Sequence, residues 1–214
     1  MPFVTQKSIL TLTVVAILEL LILAGFIWSG VYNVGADDPH TRPIYGLLQT
    51  IRQRSITSRA NSIHVPDLSD AALIRQGSGN YDSMCTACHL APGMADTELS
   101  KGIYPAPPNL AKAVIGNPAH HFWVIKHGIK ASGMPAWGKS MEDQYIWGLV
   151  AFVQQLPKLD PDAYQALVAS SRGHSHGGGE TEPHEQVEGS FDHHDDLDAG
   201  EAAEHQHAED EHQH

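Results

Sequence analysis

Apolar and polar positions fall along this chain in three regimes. From Ile9 to Trp28 the apolar residues are nearly continuous. A run of about 20 such residues can cross a hydrocarbon core of about 30 Å as a helix. Trp28 and Tyr32 stand at its far end, where interfacial aromatics belong. The pattern predicts a membrane anchor over 8–33, with 1–7 on the cytoplasmic side. The competing reading is a cleaved signal sequence ending at Val34-Gly35-Ala36, but an apolar region of about 7–15 residues is usual there. Glu19 interrupts the run. An ionisable group at that depth is costly and marks either a contact with a partner subunit's helix or a carboxyl kept protonated.

The second regime is periodic. Within the linker 34–67, Ile44, Leu47, Leu48 and Ile51 recur at helical spacing, Pro43 suits a first turn, and Arg52, Arg54 and Arg59 follow. This predicts a short amphipathic helix with a basic end, fit for a membrane surface, a partner or the neighbouring domain. Asp67 or Ser69 can cap the next helix, over about 70–82, and a Pro- and Gly-rich loop fills 91–110. Asn117 and Pro118 open a helix that ends by Gly128. Ser140-Met141-Glu142-Asp143 reads as a capping box for a last helix ending before Pro157. A short helix over 159–169 fits the extension 158–172. With no strand pattern and no internal repeat, the fold class is all-α, built on a domain over 68–157.

The third regime, 173–214, is polar. It holds 13 of the 25 acidic residues, none of the 13 Lys and Arg, and nine of the 15 histidines. The remainder, with 12 acids against 13 bases, is close to neutral, so the net charge of −12 belongs to this stretch. Its low apolar content predicts a disordered tail. His174, His176, His193, His194, His205, His207, His212 and His214 form close pairs beside carboxylates, a donor set that suits loose copper or zinc binding; a purely solvated acidic tail is the plainer reading. Nucleic acid is excluded as a partner, because no basic run exists and the tail repels phosphate. No nucleophile elbow, phosphate loop or further cysteine supports hydrolytic or nucleophilic catalysis.

The sharpest chemistry lies at Cys85-Thr86-Ala87-Cys88-His89, a C-x-x-C-H sequence of the kind that attaches haem c. Two thiols with two residues between them reach both vinyl groups on one porphyrin edge, and the adjacent His89 can bind iron. The chain has only two cysteines, too few for an all-thiolate zinc site. Met134, in Gly133-Met134-Pro135-Ala136-Trp137-Gly138, supplies a thioether from a rigid loop, and His with Met is the usual axial pair in cytochromes c. Met141, His120, His121 and His127 are its rivals.

Taken together, 68–157 resembles class I cytochromes c. Gly77 and Tyr81 stand where that family places a helix-crossing glycine and aromatic. Trp147, Leu149, Phe152 and Val153 offer the opposing face. The resemblance also implies a proline carbonyl that accepts the proximal histidine's N–H, here Pro107 or Pro108. It implies a single covalent haem and a membrane-tethered carrier of single electrons rather than an enzyme. Its redox partner would be a quinol-oxidising complex, a terminal oxidase or a periplasmic dehydrogenase. Because haem c is attached outside the energy-conserving membrane, the haem domain is expected on the periplasmic side of the inner membrane. Two rival functions are a sensor or enzyme with an open sixth iron site, and a metal-handling protein using the histidine tail.

Overall fold

Residues 5–175 are described by a computed structural model, and regular structure among them is helical throughout. α1 (Gln6–Trp28) starts at Thr5, whose hydroxyl accepts the Ser8 N–H, and none of its residues is buried. It is long and apolar enough to cross a membrane. The helix stops short of the Tyr32 aromatic, which instead bonds forward to His40 (Tyr32 Oη to His40 Nδ1, 3.0 Å).

α2 (Arg42–Ala60) carries Pro43 in its first turn and buries Ile56 and Ala60 near its end. Its earlier apolar residues, Ile44, Leu47, Leu48 and Ile51, remain exposed. α3 (Ala71–Met84) is capped by Asp70, not by Asp67 or Ser69. Asp67 is engaged instead in a local turn, its carboxylate accepting from both the backbone N–H and the hydroxyl of Ser69. α4 (Thr86–His89) is a single turn holding the second cysteine and the histidine. The expected loop over 91–110 contains a further turn, α5 (Glu98–Gly102), closed by a reciprocal Thr97–Ser100 capping box.

α6 (Pro118–His127) begins at Asn117 as its sequence requires, the Asn117 side chain accepting the Ala119 N–H at 2.8 Å. α7 (Asp143–Val153) begins later than the sequence suggests. Trp137–Lys139 form a 3₁₀ turn, and the Met141 N–H bonds back to the Trp137 carbonyl at 2.9 Å. That bond removes Ser140 from the cap position; Glu142 stands there without a side-chain cap bond. α8 (Pro161–Ala169) is capped by Asp160.

The core lies where α3 crosses α7. A Cβ on Gly77 would stand 1.9 Å from the Gly148 carbonyl oxygen and 2.9 Å from Phe152 Cβ, so the two backbones meet with no room for a side chain. Tyr81 packs beside Phe152 with ring centroids 5.2 Å apart, and Phe152 in turn approaches Tyr164 of α8. Ile146, Leu149, Val150 and Leu156 also belong to the buried cluster, with Phe122 and Met141. Trp147 packs against this cluster and stacks on Phe122 of α6, centroids 4.1 Å apart. Lys126 and Asp143 add an ion pair between α6 and α7; partly exposed, it contributes little.

Chain on both sides of 68–157 is tied to this core. The His40 N–H donates to the Tyr104 hydroxyl at 3.1 Å, and α2 lies against α6. After α8 the chain turns back over α3. The Asn80 side chain, fully buried, donates to the Ser175 carbonyl and accepts the Ser175 N–H at 2.9 and 2.8 Å. Gly173–Ser175 are therefore held, although the polar regime of the sequence starts at Gly173.

Candidate haem site

Cys85 ends α3 and Cys88 lies within α4, so the turn between the helices sets the spacing of the two thiols. Both cysteines are free and partly buried. Burial, with a smaller contribution from Cys88, pushes the Cys85 thiol up to about 12, so in the haem-free chain it stays protonated.

His89 is fixed from three directions. Its ring donates from Nδ1 to the Pro108 carbonyl at 2.9 Å, leaving Nε2 as the nitrogen with a free lone pair. Its backbone carbonyl accepts the Leu110 N–H at 3.0 Å. The Tyr81 hydroxyl donates to the Leu90 carbonyl at 2.7 Å and lies 3.4 Å from that of His89. Leu90 adopts φ 61°, a left-handed conformation that turns the chain off the end of α4 immediately after the histidine. Such a residue persists only where its surroundings hold it, and the Tyr81 bond to its carbonyl does so. Burial lowers the basicity of His89, while the Pro108 bond acts in the opposite sense. The outcome is a neutral ring, the protonation state a metal ligand needs.

Met134 lies on the loop between α6 and α7. Its N–H donates to Ser132 Oγ at 3.2 Å and its carbonyl accepts the Ile129 N–H at 3.1 Å. Gly128 makes this hairpin possible. It has φ +64°, and a Cβ there would stand 2.7 Å from the Met134 carbonyl oxygen. Three of the four rivals of Met134, His120 being the exception, are engaged elsewhere. Met141 is 3% exposed within the apolar core. His121 bonds Gln154 across the α6–α7 contact (Nδ1 to Nε2, 3.3 Å), and His127 packs on Trp123.

Some contacts were not legible in the sequence. Tyr81 is read there as a packing aromatic, yet its hydroxyl is also the clamp on the His89–Leu90 turn. Thr97 donates to the Ala87 carbonyl and ties α5 to α4. The residues after a C-x-x-C-H sequence carry no mark of such bonds, because each depends on where the loop returns. Of the tail histidines only His174 is described, with Nε2 2.9 Å from the Met84 sulfur. His176, His193, His194, His205, His207, His212 and His214 lie outside the described residues. Among the described residues no group of three or more His, Cys, Asp or Glu is placed to hold a metal ion.

The donor set fits a haem c: two adjacent thiols at the start of one helical turn, then a neutral imidazole held by its far nitrogen with the near one free. Helices crossing at Gly77 and Gly148, with this turn between them and a methionine loop following, define a class I cytochrome c domain. Residues 72–153 match the family model of cytochrome c oxidase, cbb3-type, subunit III, which supports a cytochrome c domain over this part of the chain. No curated protein and no solved structure matches the chain. The apolar α1 ahead of it is compatible with a membrane anchor.

Proposed function

We propose that this chain is a membrane-held carrier of single electrons whose one haem is bonded to Cys85 and Cys88 and ligated by His89 Nε2 and Met134 Sδ. The observation that carries the reading is the His89 Nδ1–Pro108 bond, which dedicates one ring nitrogen to the protein and the other to iron. When bound, the haem supplies an iron that takes up and releases one electron. The protein's part is to hold both axial ligands still through that change. The Pro108 and Leu110 bonds hold His89, and the Ile129–Met134 hairpin holds the methionine loop. Were His89 and Met134 both to ligate the iron, they would leave it no position open to a substrate. The partner is a respiratory membrane complex of the kind in which oxidase cytochrome subunits work, and the haem domain faces the periplasm.

The test is visible absorption of the haem-loaded full chain, with Met134→Ala and Met141→Ala beside wild type. Wild type and Met141→Ala are expected to show the far-red band of Met-ligated ferric haem and to resist carbon monoxide when reduced. Met134→Ala is expected to lose the band and bind carbon monoxide promptly. Prompt carbon monoxide binding by reduced wild type would mean an open sixth site, and the sensor or enzyme reading would replace this one.

A further inference from the structure

A cleft of about 550 Å³ lies between α2 and the cytochrome domain, and its lining is one-sided in charge. Arg52, Arg59, Lys130, His40 and His127 border it, and no carboxylate does. In a chain of net charge −12 this is a local reversal. Arg52 is half-buried, and among the described residues it makes no hydrogen bond or ion pair. Arg59 is oriented along the wall by bonds from Nη1 to the Ser55 carbonyl and hydroxyl, 3.1 and 2.8 Å. A half-buried guanidinium without a partner is a costly arrangement unless an anion completes it.

The cleft's other walls say which anion. One is Tyr104-Pro105, on the loop that goes on to Pro108 and so to the His89 ring. Another is Gly128–Ser132, the part of the loop that leads into Met134. The two loops that present the axial ligand candidates thus converge on this opening, with Trp123 and Ile129 as apolar flanks. A flat apolar ring carrying two carboxylates is the group that such a wall suits. α2 lies outside 72–153, so this wall is supplied by the linker and not by the cytochrome domain itself.

We propose that the linker helix α2 closes the haem crevice, and that Arg52 and Arg59 are the cations facing the haem propionates. This rests on the haem reading above. A guanidinium beside the haem favours the reduced, less positive iron and so raises the reduction potential. Arg is suited to the role because its planar fork meets a carboxylate with two parallel bonds. The linker then tunes the electron carrier as well as tethering it.

The test is the midpoint potential of the haem-loaded full chain in neutral detergent for wild type, R52Q, R59Q, R52K and R54Q. Arg54 lies on α2 but does not border the cleft. R52Q and R59Q are expected to shift the potential downward, R52K to recover most of the loss, and R54Q to stay at the wild-type value. Spectra of every variant report axial ligation separately, so an altered spectrum in wild type would count against the haem-ligand reading and not this one. The proposal is overturned if R52Q and R59Q leave the potential unchanged, or shift it no more than R54Q. A loss of binding to anionic phospholipid vesicles with the potential unchanged would overturn it in favour of a lipid headgroup in the cleft.

Discussion

A Cβ at residue 77 has nowhere to go, since the facing carbonyl belongs to the backbone of Gly148 and cannot rotate aside. Gly77→Ala is therefore expected to destabilise the haem-loaded protein by about 3 kcal/mol, at the upper end for overpacking; the urea midpoint measures it. Tyr164 makes a different prediction. Its hydroxyl donates to Asp82 at 2.7 Å, and burial first, then Asp82, raise its pKa above the ordinary phenol range. Below about pH 10 the phenol is neutral in the folded and unfolded chain alike. Above that, the unfolded chain loses the proton while the folded one keeps it, so stability falls as pH rises. Tyr164→Phe is expected to start less stable, by about 1 kcal/mol for the lost bond, and to show a shallower alkaline decline in urea midpoints. At this scale the sequence exposes the chemistry of Cys85, Cys88, His89 and Met134 but not the choice between Pro107 and Pro108. Neighbouring prolines offer equal carbonyls, and only the return of the loop to bond Leu110 to His89 aims one of them at the ring.

Helices whose start is written in one residue were legible, and those that depend on a neighbouring turn were not. Asn117 with Pro118 satisfies a free N–H and presets the first torsion, so α6 begins where those residues stand. Ser140 has the chemistry of a cap but is overridden by the preceding 3₁₀ turn, which delivers Met141 to the core. Hydrophobic burial of Met141 outweighs one capping bond. Two substitutions separate these cases. Asn117→Ala is expected to cost about 1 kcal/mol, whereas Ser140→Ala should leave the thermal midpoint nearly unchanged because its hydroxyl makes only a long 3.4 Å bond to Trp137. For α2 the apolar spacing was visible, but the buried face is at Ile56 and Ala60, beyond the stripe that the sequence displays. Which part of an amphipathic helix finds a partner depends on the partner's position, which spacing does not encode.

Among the described residues, the chain on both sides of the cytochrome domain bonds to it. Asn80 is fully buried, and among the described residues its side-chain amide is satisfied by the Ser175 backbone. Ending the chain after Arg172 is expected to lower stability by about 2 kcal/mol, the cost of stranding a buried amide. Ending it after Ser175 should leave the urea midpoint unchanged, although it removes all of the tail's acids.

At the other end, the Tyr32 hydroxyl bonds the His40 ring and the His40 backbone N–H donates to the Tyr104 hydroxyl, so a chain of hydrogen bonds through three residues runs from beyond the apolar segment to the loop that carries Pro108. The connection behaves as a bracket rather than a leash. A leashed domain would sample a volume and meet a partner by swinging; a bracketed one, on the proposed function, would be restrained relative to its anchor. On the proposed function, exchange with a membrane partner would then depend on encounter of the two proteins rather than on a swinging domain, and lengthening the segment before His40 is expected to change the transfer rate measured in proteoliposomes.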